Sequence, residues 1–461
     1  MKVKKIQKQL FGTNGVRGIV GKDLTPELVL TIGEAFGTMR KGRIAVGRDT
    51  RTSGETLINA VKSGLLAVGC DVIDCGILPT PALQYLVMEQ FDGGVMITAS
   101  HNPPEYNGVK IIESDGTEMG DEETLKLEQR IFDRSQTTNS WKDIGKETIA
   151  LHLIEDYITA IANQFPNKPG AGITVAVDPG SGPACVTTPQ ILTRMGCRVL
   201  TINGIMDGTF PGRLPEPSPD GLTQLAALVV SSGAAFGVAH DGDADRAVFI
   251  DENGRFVEEN LEFALIADQI CRQNKGVIVT PVSTSQMVEI VAKANNCTVT
   301  YTPVGSIYVA RTMRMLIEKG FPVIFGGEGN GGLIFPNHQF CRDGGMTAAM
   351  MVAILTSRKQ KLSILLEQLP QRHMIKDKIS AVGGASILEI LKSEYSHGII
   401  DETDGLKIFQ GNSWALVRAS GTEPLIRIIT DAEGHEQGRV LHDKIMDSIQ
   451  KITGSKPDRT I

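Results

Sequence analysis

Along the first three-quarters of the chain, short apolar runs alternate with longer stretches of helical spacing, and the alternation recurs. GRIAVGRDTRTSG (42–54), GITVAVDPGSG (172–182) and GVIVTPVSTS (276–285) each place a glycine before a β-branched run and close it with a polar turn. A helix-compatible stretch follows each one: ETLINAVKSGLLAVG, PACVTTPQILTRMG and QMVEIVAKAN. A short run opened by Cys70, Cys197 or Cys297 comes next, and a third run, GGVMITAS, GAAFGVAH or FPVIFGG, completes the unit. Strands alternating with helices of this length predict α/β units with largely parallel pairing. One pattern used three times predicts three related domains. The remainder differs: KIFQGNSWALVRASGTEPLIRIITDAEG predicts two strands around a polar loop, then a helix from about His435 to Ile452. The expected domains are 1–153, 154–254, 255–368 and a smaller α+β domain at 369–461.

Composition narrows the class. The 461 residues leave room for about two to four domains. Lys and Arg total 46 against 53 Asp and Glu, a net charge of −7, and no basic stripe is present, which argues against a nucleic-acid binder. Apolar runs break well short of the roughly 20 residues that span a bilayer. MKVKKIQKQLFGTNG lacks the apolar segment of a secretory signal. Seven dispersed cysteines without a C-x-x-C pair fit reduced thiols. A cytoplasmic protein acting on a small molecule, with neither nucleic acid nor membrane as partner, is the expectation, and a homodimer is the assembly allowed for.

The third runs end in loops of unequal chemistry, and ligands in open α/β sheets bind beyond the carboxyl ends of strands. Ser100, in VMITASHNPPEYNGVKI, stands at a strand-to-loop corner, since Pro103 and Pro104 forbid an immediate helix. It lacks the G-x-S-x-G setting of a hydrolase nucleophile. HDGDADRA offers Asp241, Asp243 and Asp245 at alternate positions; crowded carboxylates call for a hard cation, Mg²⁺ or Ca²⁺. An EF-hand is excluded because Arg246 occupies the required glycine position and both flanks look like strands. Arg246 beside a metal suggests an anionic ligand, most naturally phosphate. A serine bearing phosphate could have its charge neutralised by Mg²⁺ on the three aspartates. Arg418, Ser420, Gly421, Thr422 and Arg427 gather in VRASGTEPLIRI the groups that a phosphate dianion needs. A phosphatase using Asp241 as nucleophile, and a cation-stabilised scaffold, are the competing readings.

TASHNP, DGDADR, GEGNGG and RASGTEP, in this order and with FGTNGVRG at 11–18, resemble the signatures of the α-D-phosphohexomutase superfamily, the phosphoglucomutase/phosphomannomutase group. The resemblance covers essentially the whole chain. It implies an α/β fold with a four-domain, heart-shaped phosphohexomutase architecture, three similar α/β domains preceding a smaller α+β one. It implies a mutase that carries phosphate on Ser100 with bound Mg²⁺ and exchanges it with a sugar monophosphate through a sugar 1,6-bisphosphate intermediate and activator. Ser100 would then join the three aspartates as a metal ligand. Arg17 and Lys110 match the family's active-site basic residues, Arg246 supports the phosphates, and the Arg418–Arg427 loop holds the phosphate that is not reacting. Gly305, Glu328 and Asn330 match sugar-binding positions, with Glu328 on the O3 and O4 hydroxyls. Where related bacterial enzymes carry the histidine of G-E-x-S-G-H, this chain has Gly332, which leaves His101 and Lys110 as alternatives for its proton-transfer role. The Asn-Gly-Gly version looks like archaeal phosphoglucosamine mutases. Glucosamine 6-phosphate to glucosamine 1-phosphate is therefore the expected reaction; mannose, glucose or pentose phosphates are the alternatives.

Overall fold

The computed structural model describes residues 8–12, 15–381, 383–419 and 425–453. In the first unit the strand Arg43–Arg48 lies between Asp71–Ile77 and Gly93–Ile97, parallel to both. Tyr106–Glu113 returns antiparallel to Gly93–Ile97. Val16–Ile19 and Glu147–Ile149 complete a six-stranded sheet. The same core of four strands recurs twice. Thr174–Asp178 lies between Arg198–Thr201 and Phe236–His240, with Ala247–Ile250 returning antiparallel. Val277–Pro281 lies between Thr298–Thr302 and Val323–Glu328, with Gly332–Ile334 returning.

The repeat pattern therefore located three strands of each unit and did not include the fourth, antiparallel one; of these only AVFI was read as a strand, as a flank of the aspartate loop. The returning strands are buried on both faces, so NGVKII, AVFI and GLI show none of the alternation that marks a half-exposed strand. Their presence changes what the loops are. The serine, aspartate and glutamate loops each join two paired strands of one sheet, and are held at both ends by a ladder.

Helices fill the connections. Gly54–Ala67 and Gln286–Ala294 form where expected, the latter capped by Ser285, whose hydroxyl accepts from Met287 N. PACVTTPQILTRMG does not make one helix. It splits into a short 3-10 turn, Pro183–Val186, and the helix Thr188–Arg194, broken at Thr187 (φ −120°, ψ −69°). Pro183 and Pro189 each restrict the residue before them, which favours two short starts over one continuous helix. In the last unit the structure corrects the expected two strands to an antiparallel sheet of five: His373–Ser380, Leu425–Ala432, Ser413–Ala419, Leu406–Gln410 and Ile399–Asp401. Gly384–Glu394 and His435–Thr453 cover it.

One apolar core runs through the first three units, joining Leu83, Tyr157, Phe236, Phe263 and Phe325. The fourth has its own, around Ile387, Ile408, Ile428 and Ile445, and meets the third through Val282, Trp414 and Leu416. Among the described residues no helix is long and apolar enough to cross a membrane.

Candidate active site

Ser100 is buried with a left-handed backbone, φ +50°. That conformation costs a non-glycine residue on the order of 1 kcal/mol and persists only where the surroundings over-determine it. Arg51 does so here. Its buried guanidinium donates to the carbonyls of Ser100 (2.7 Å), Asn102 (2.6 Å), Pro103 (2.6 Å) and Tyr106 (3.0 Å). Its Nε pairs with Asp49 at 3.1 Å, and Asp49 accepts from Thr98 Oγ1 at 2.6 Å. Thr98 Oγ1 in turn accepts from Ser100 N at 2.9 Å. Sequence reasoning passed over Asp49 and Arg51; the available signal was a polar DTRTSG turn directly after a buried strand.

The hydroxyl of Ser100 donates to Asp241 Oδ2 at 2.8 Å. Asp241, Asp243 and Asp245 are all buried, and each offers a carboxylate oxygen within 4.8 Å of the others. Each carboxylate also has a cation, and the three cations come one from each unit. Lys110 Nζ, on the returning strand of the first, lies 2.7 Å from Asp243 and 3.4 Å from Asp245. Arg246 Nε donates to Asp241 at 3.2 Å, and Arg342 of the third unit donates to Asp245. Thr80 adds its hydroxyl to Asp243. After all these bonds, Asp243 Oδ1 and Asp245 Oδ1 remain buried with no hydrogen-bond partner. Uncompensated buried carboxylate oxygens are costly, and a set of hard oxygens is what Mg²⁺ selects. The triad fits that ion.

Electrostatics follow from the crowding. Burial, opposed by Arg246 and reinforced by the like charges of Asp245 and Asp243, pushes Asp241 up to about 7. Burial also disfavours the charge on Asp243, but Lys110 and Thr80 outweigh it and hold this carboxyl far below the usual range. Burial works to neutralise Lys110; Asp243 and Asp245 reverse that and raise its pKa, leaving a fixed positive charge. Partial desolvation, helped by Arg246 and Arg17 and opposed by Glu216, pulls His101 down to about 4, so its imidazole is neutral at pH 7. His101 Nδ1 lies 3.4 Å from Ser100 Oγ.

Arg17 donates from one terminal nitrogen to Asn102 Oδ1 at 3.0 Å, while its Nε and other terminal nitrogen are buried without partners. A guanidinium left with idle donors beside a serine loop is arranged for an anion. Arg246 makes a two-pronged pair with Glu216 (3.0 and 3.1 Å).

A cleft of about 260 Å³ between the third and fourth units is lined by Glu328, Asn330, Lys376, Arg418 and Arg427 among others. Two of the expected sugar-binding residues thus face two of the expected phosphate-binding ones. Lys376 adds a cation that no motif announced. Arg418 pairs with Asp404 at 2.7 Å, and Asp404 accepts from Val304 N at 2.8 Å, beside Gly305 (φ +136°). Glu328 is joined to the aspartate loop by Arg342, which donates to its Oε2 at 3.0 Å. Ser420, Gly421 and Thr422 lie outside the described residues.

Models of the phosphoglucomutase/phosphomannomutase family match in chain order: α/β/α domain I at 8–138, domain II at 155–254, domain III at 259–373 and the C-terminal domain at 371–448. A phosphoglucomutase/phosphomannomutase of Thermococcus kodakarensis is 44% identical over 448 residues, covering 94% of this chain and 96% of that protein. A phosphoglucosamine/phosphogalactosamine mutase of Sulfurisphaera tokodaii is 38% identical over 462 residues, covering 97% and 100%. Among solved structures, a phosphoglucomutase/phosphomannomutase family protein of Burkholderia thailandensis superimposes with a TM-score of 0.84 at 24% identity, over 95% of this chain and 97% of that one.

Proposed function

The chain belongs to the phosphoglucomutase/phosphomannomutase family and is a phosphosugar mutase, and from that premise we propose that Ser100 carries the transferred phosphate and that the sugar is glucosamine. The observation that carries the reading is the Ser100 hydroxyl, held in a strained loop 2.8 Å from the aspartate triad and beside the idle donors of Arg17. In the forward step the Ser100 Oγ–P bond breaks while a sugar hydroxyl oxygen bonds the phosphorus, and the proton of that hydroxyl ends on the departing Ser100 Oγ. The resulting bisphosphate reverses in the cleft, and its other phosphoryl group returns to Ser100 Oγ. Net phosphate is conserved.

The chain's own groups divide the work. Arg17, Lys110 and Arg246 place fixed positive charge around the phosphoryl group, where electrostatic stabilisation is the main catalytic resource. Asp241, Asp243 and Asp245 would hold Mg²⁺ with an oxygen of the phosphorylated serine; the ion supplies charge neutralisation to the transferring group. The neutral imidazole of His101, 3.4 Å from Ser100 Oγ, is placed to relay the proton, and its low basicity favours passing the proton on over holding it. Glu328 and Asn330 bind sugar hydroxyls, and Arg418 with Arg427 holds the distal phosphate. Because Glu328 is assigned to O3 and O4, it does not select the substituent at C2. The preference for glucosamine rests on relatives such as the Sulfurisphaera enzyme. The Thermococcus relative favours glucose and mannose phosphates as the second reading. Seven unpaired cysteines, most of them buried, support a cytoplasmic setting.

The test is to incubate the protein with glucosamine 1-phosphate, Mg²⁺ and a trace of the 1,6-bisphosphate, and to follow phosphorus by NMR. A mutase gives the 6-phosphate, a phosphatase gives free phosphate, and a scaffold gives neither. Glucose and mannose phosphates run in parallel rank the sugars. Ser100→Ala should abolish phosphate incorporation and lower turnover by orders of magnitude; wild-type activity in that variant would remove the serine from the mechanism.

A further inference from the structure

We propose that Arg342 is a positioning residue of the mutase reaction, clamping the aspartate loop to the sugar loop, and that position 332 is glycine because the Arg342 side chain occupies the space beside it. The kinetic part of this proposal rests on the mutase reading; the packing part does not.

Arg342 is buried, its side chain 7% exposed, and its guanidinium joins two carboxylates from different units. One terminal nitrogen donates to Glu328 Oε2 at 3.0 Å and the other to Asp245 Oδ2. The neighbouring Asp343 fixes the backbone from which Arg342 projects. Asp343 caps the helix Gly344–Arg358 by accepting from Met346 N at 2.9 Å. It also accepts from Tyr157 Oη (2.7 Å) and Gln339 Nε2 (2.7 Å). Arg342 is thus held at its root by a capped helix and at its tip by two carboxylates.

The stem between these anchors crosses Gly332. A Cβ on Gly332 would lie 2.3 Å from Arg342 Cδ and 3.1 Å from its Cγ. Gly327 (φ +144°) and Gly331 (φ +81°) in the same loop have backbones that call for glycine, but Gly332 has no positive φ. Its lack of a side chain answers to packing: the one prohibitive approach is to Arg342 Cδ, while Arg342 Cγ and Asn330 Oδ1, both at 3.1 Å, need give only a few tenths of an ångström. Any side chain there must displace a stem that cannot yield while both carboxylates are held. Where related enzymes carry histidine, this chain has Gly332, and the space beside it is taken by the stem of Arg342.

The clamp has a chemical purpose. Glu328 and Asp245 belong to the sugar and cation sites, and their charges repel across a short gap. Arg342 bridges the two, offsets that repulsion and fixes their separation, and with it the register of the sugar against Ser100. Misplacement of reacting groups by about an ångström costs on the order of 100-fold in rate.

The experiment is a double-mutant cycle with Gly332→Ala, Arg342→Ala and both, read by steady-state kinetics and by denaturant unfolding. Each single variant should lower kcat/KM about 10- to 100-fold. The double variant should lose no more than Arg342→Ala alone, because the methyl group then has room. In unfolding, Gly332→Ala should destabilise the wild type and cost nothing further in the Arg342→Ala background. Arg342→Lys keeps the charge but replaces two separate terminal nitrogens by one donor of shorter reach, so it cannot hold Glu328 and Asp245 at the same separation; it should fold with near wild-type stability and still lose kcat/KM. It decides the matter if Arg342→Ala does not fold. Additive losses, or wild-type kcat/KM in Arg342→Ala or Arg342→Lys, overturn the proposal. Absence of mutase turnover in the wild type would instead bring down the functional reading, and the unfolding cycle would still decide the packing claim.

Discussion

At the scale of single residues, the site is built by charges that hold other charges in place. Arg51 makes no contact with the triad, yet four carbonyls of the serine loop end on its guanidinium. Arg51→Ala would leave Asp49 buried without a cationic partner, and removing one member of a buried pair typically costs about 3–5 kcal/mol. A fall of that size in unfolding free energy, measured by chemical denaturation, is expected together with loss of turnover; a change below about 1 kcal/mol would show that the loop holds its left-handed serine unaided. Arg51 also marks where sequence reading stops. Ser100 and the three aspartates were legible because short-range pattern reveals them: a hydroxyl after an apolar run, carboxylates at alternate positions. Arg51, Thr80 and Arg342 act on residues 49, 163 and 97 positions away. Nothing near them in the chain distinguishes a buried clamp from a solvated side chain.

At the scale of elements, the three candidate loops are hairpin connections, each tied at both ends to one ladder, which sets two expectations. The aspartate loop joins Phe236–His240 to Ala247–Ile250, both fully buried. Its three carboxylates already face Lys110, Arg246 and Arg342. Since these cations balance much of the acidic charge, the loop should keep its fold without a metal. Chelation by EDTA should therefore stop turnover while the circular dichroism spectrum is unchanged and the melting temperature moves little. Full activity in metal-free protein would withdraw the cation from the mechanism. The strands Ser413–Ala419 and Leu425–Ala432 pair Arg418 with Arg427 across one ladder rung, bringing two guanidiniums to the same end of the sheet. Like charges opposed in this way are unfavourable without an anion nearby; Asp404 supplies one to Arg418 at 2.7 Å, and a distal phosphate bound across the rung would supply another. Charge-assisted bonds are worth roughly 1.5–3 kcal/mol, so Arg418→Ala should lower kcat/KM by about 10- to 150-fold, equally for 1-phosphate and 6-phosphate substrates. Loss toward one isomer alone would mean that the loop is not a shared anchor. The same sheet shows the limit of pattern reading, because KIFQ and SWALVRA merged into one predicted strand region across the short Gly411-Asn412 turn.

At the scale of the whole molecule, cohesion is unequal. The first three units share an apolar core, whereas the fourth meets the third through a small cluster around a buried cation. Lys407 of the fourth unit donates to Val282 O of the third at 2.8 Å. Its ammonium sits 3.9 Å from the ring centre of Trp414 and 5.1 Å from that of Tyr301. Burial, only partly offset by Asp401, Asp431 and Glu289, lowers the lysine pKa to about 8. The sign of the linkage follows. Between about pH 8 and the ordinary lysine value the unfolded chain binds this proton and the folded one does not, so this group adds stability as pH rises through that window. Below pH 8 the buried charge is retained at a cost, with the aromatic faces compensating. Trp414 is 1% exposed and the other tryptophan, Trp141, is 80% exposed, so the Trp141→Phe variant turns Trp414 into a reporter of the junction. Its emission should titrate with a midpoint near 8 and should lose that step in Lys407→Met. The wild-type gain in unfolding free energy from pH 8 to pH 10 should shrink in Lys407→Met by what this lysine contributes. A Trp414 signal that titrates identically with and without Lys407 would show that the junction does not sense this proton, and the third and fourth units would then be joined by Val282, Trp414 and Leu416, by the bonds of Gln286 to Asp431 and Arg372, and by the Val304–Asp404 contact irrespective of pH.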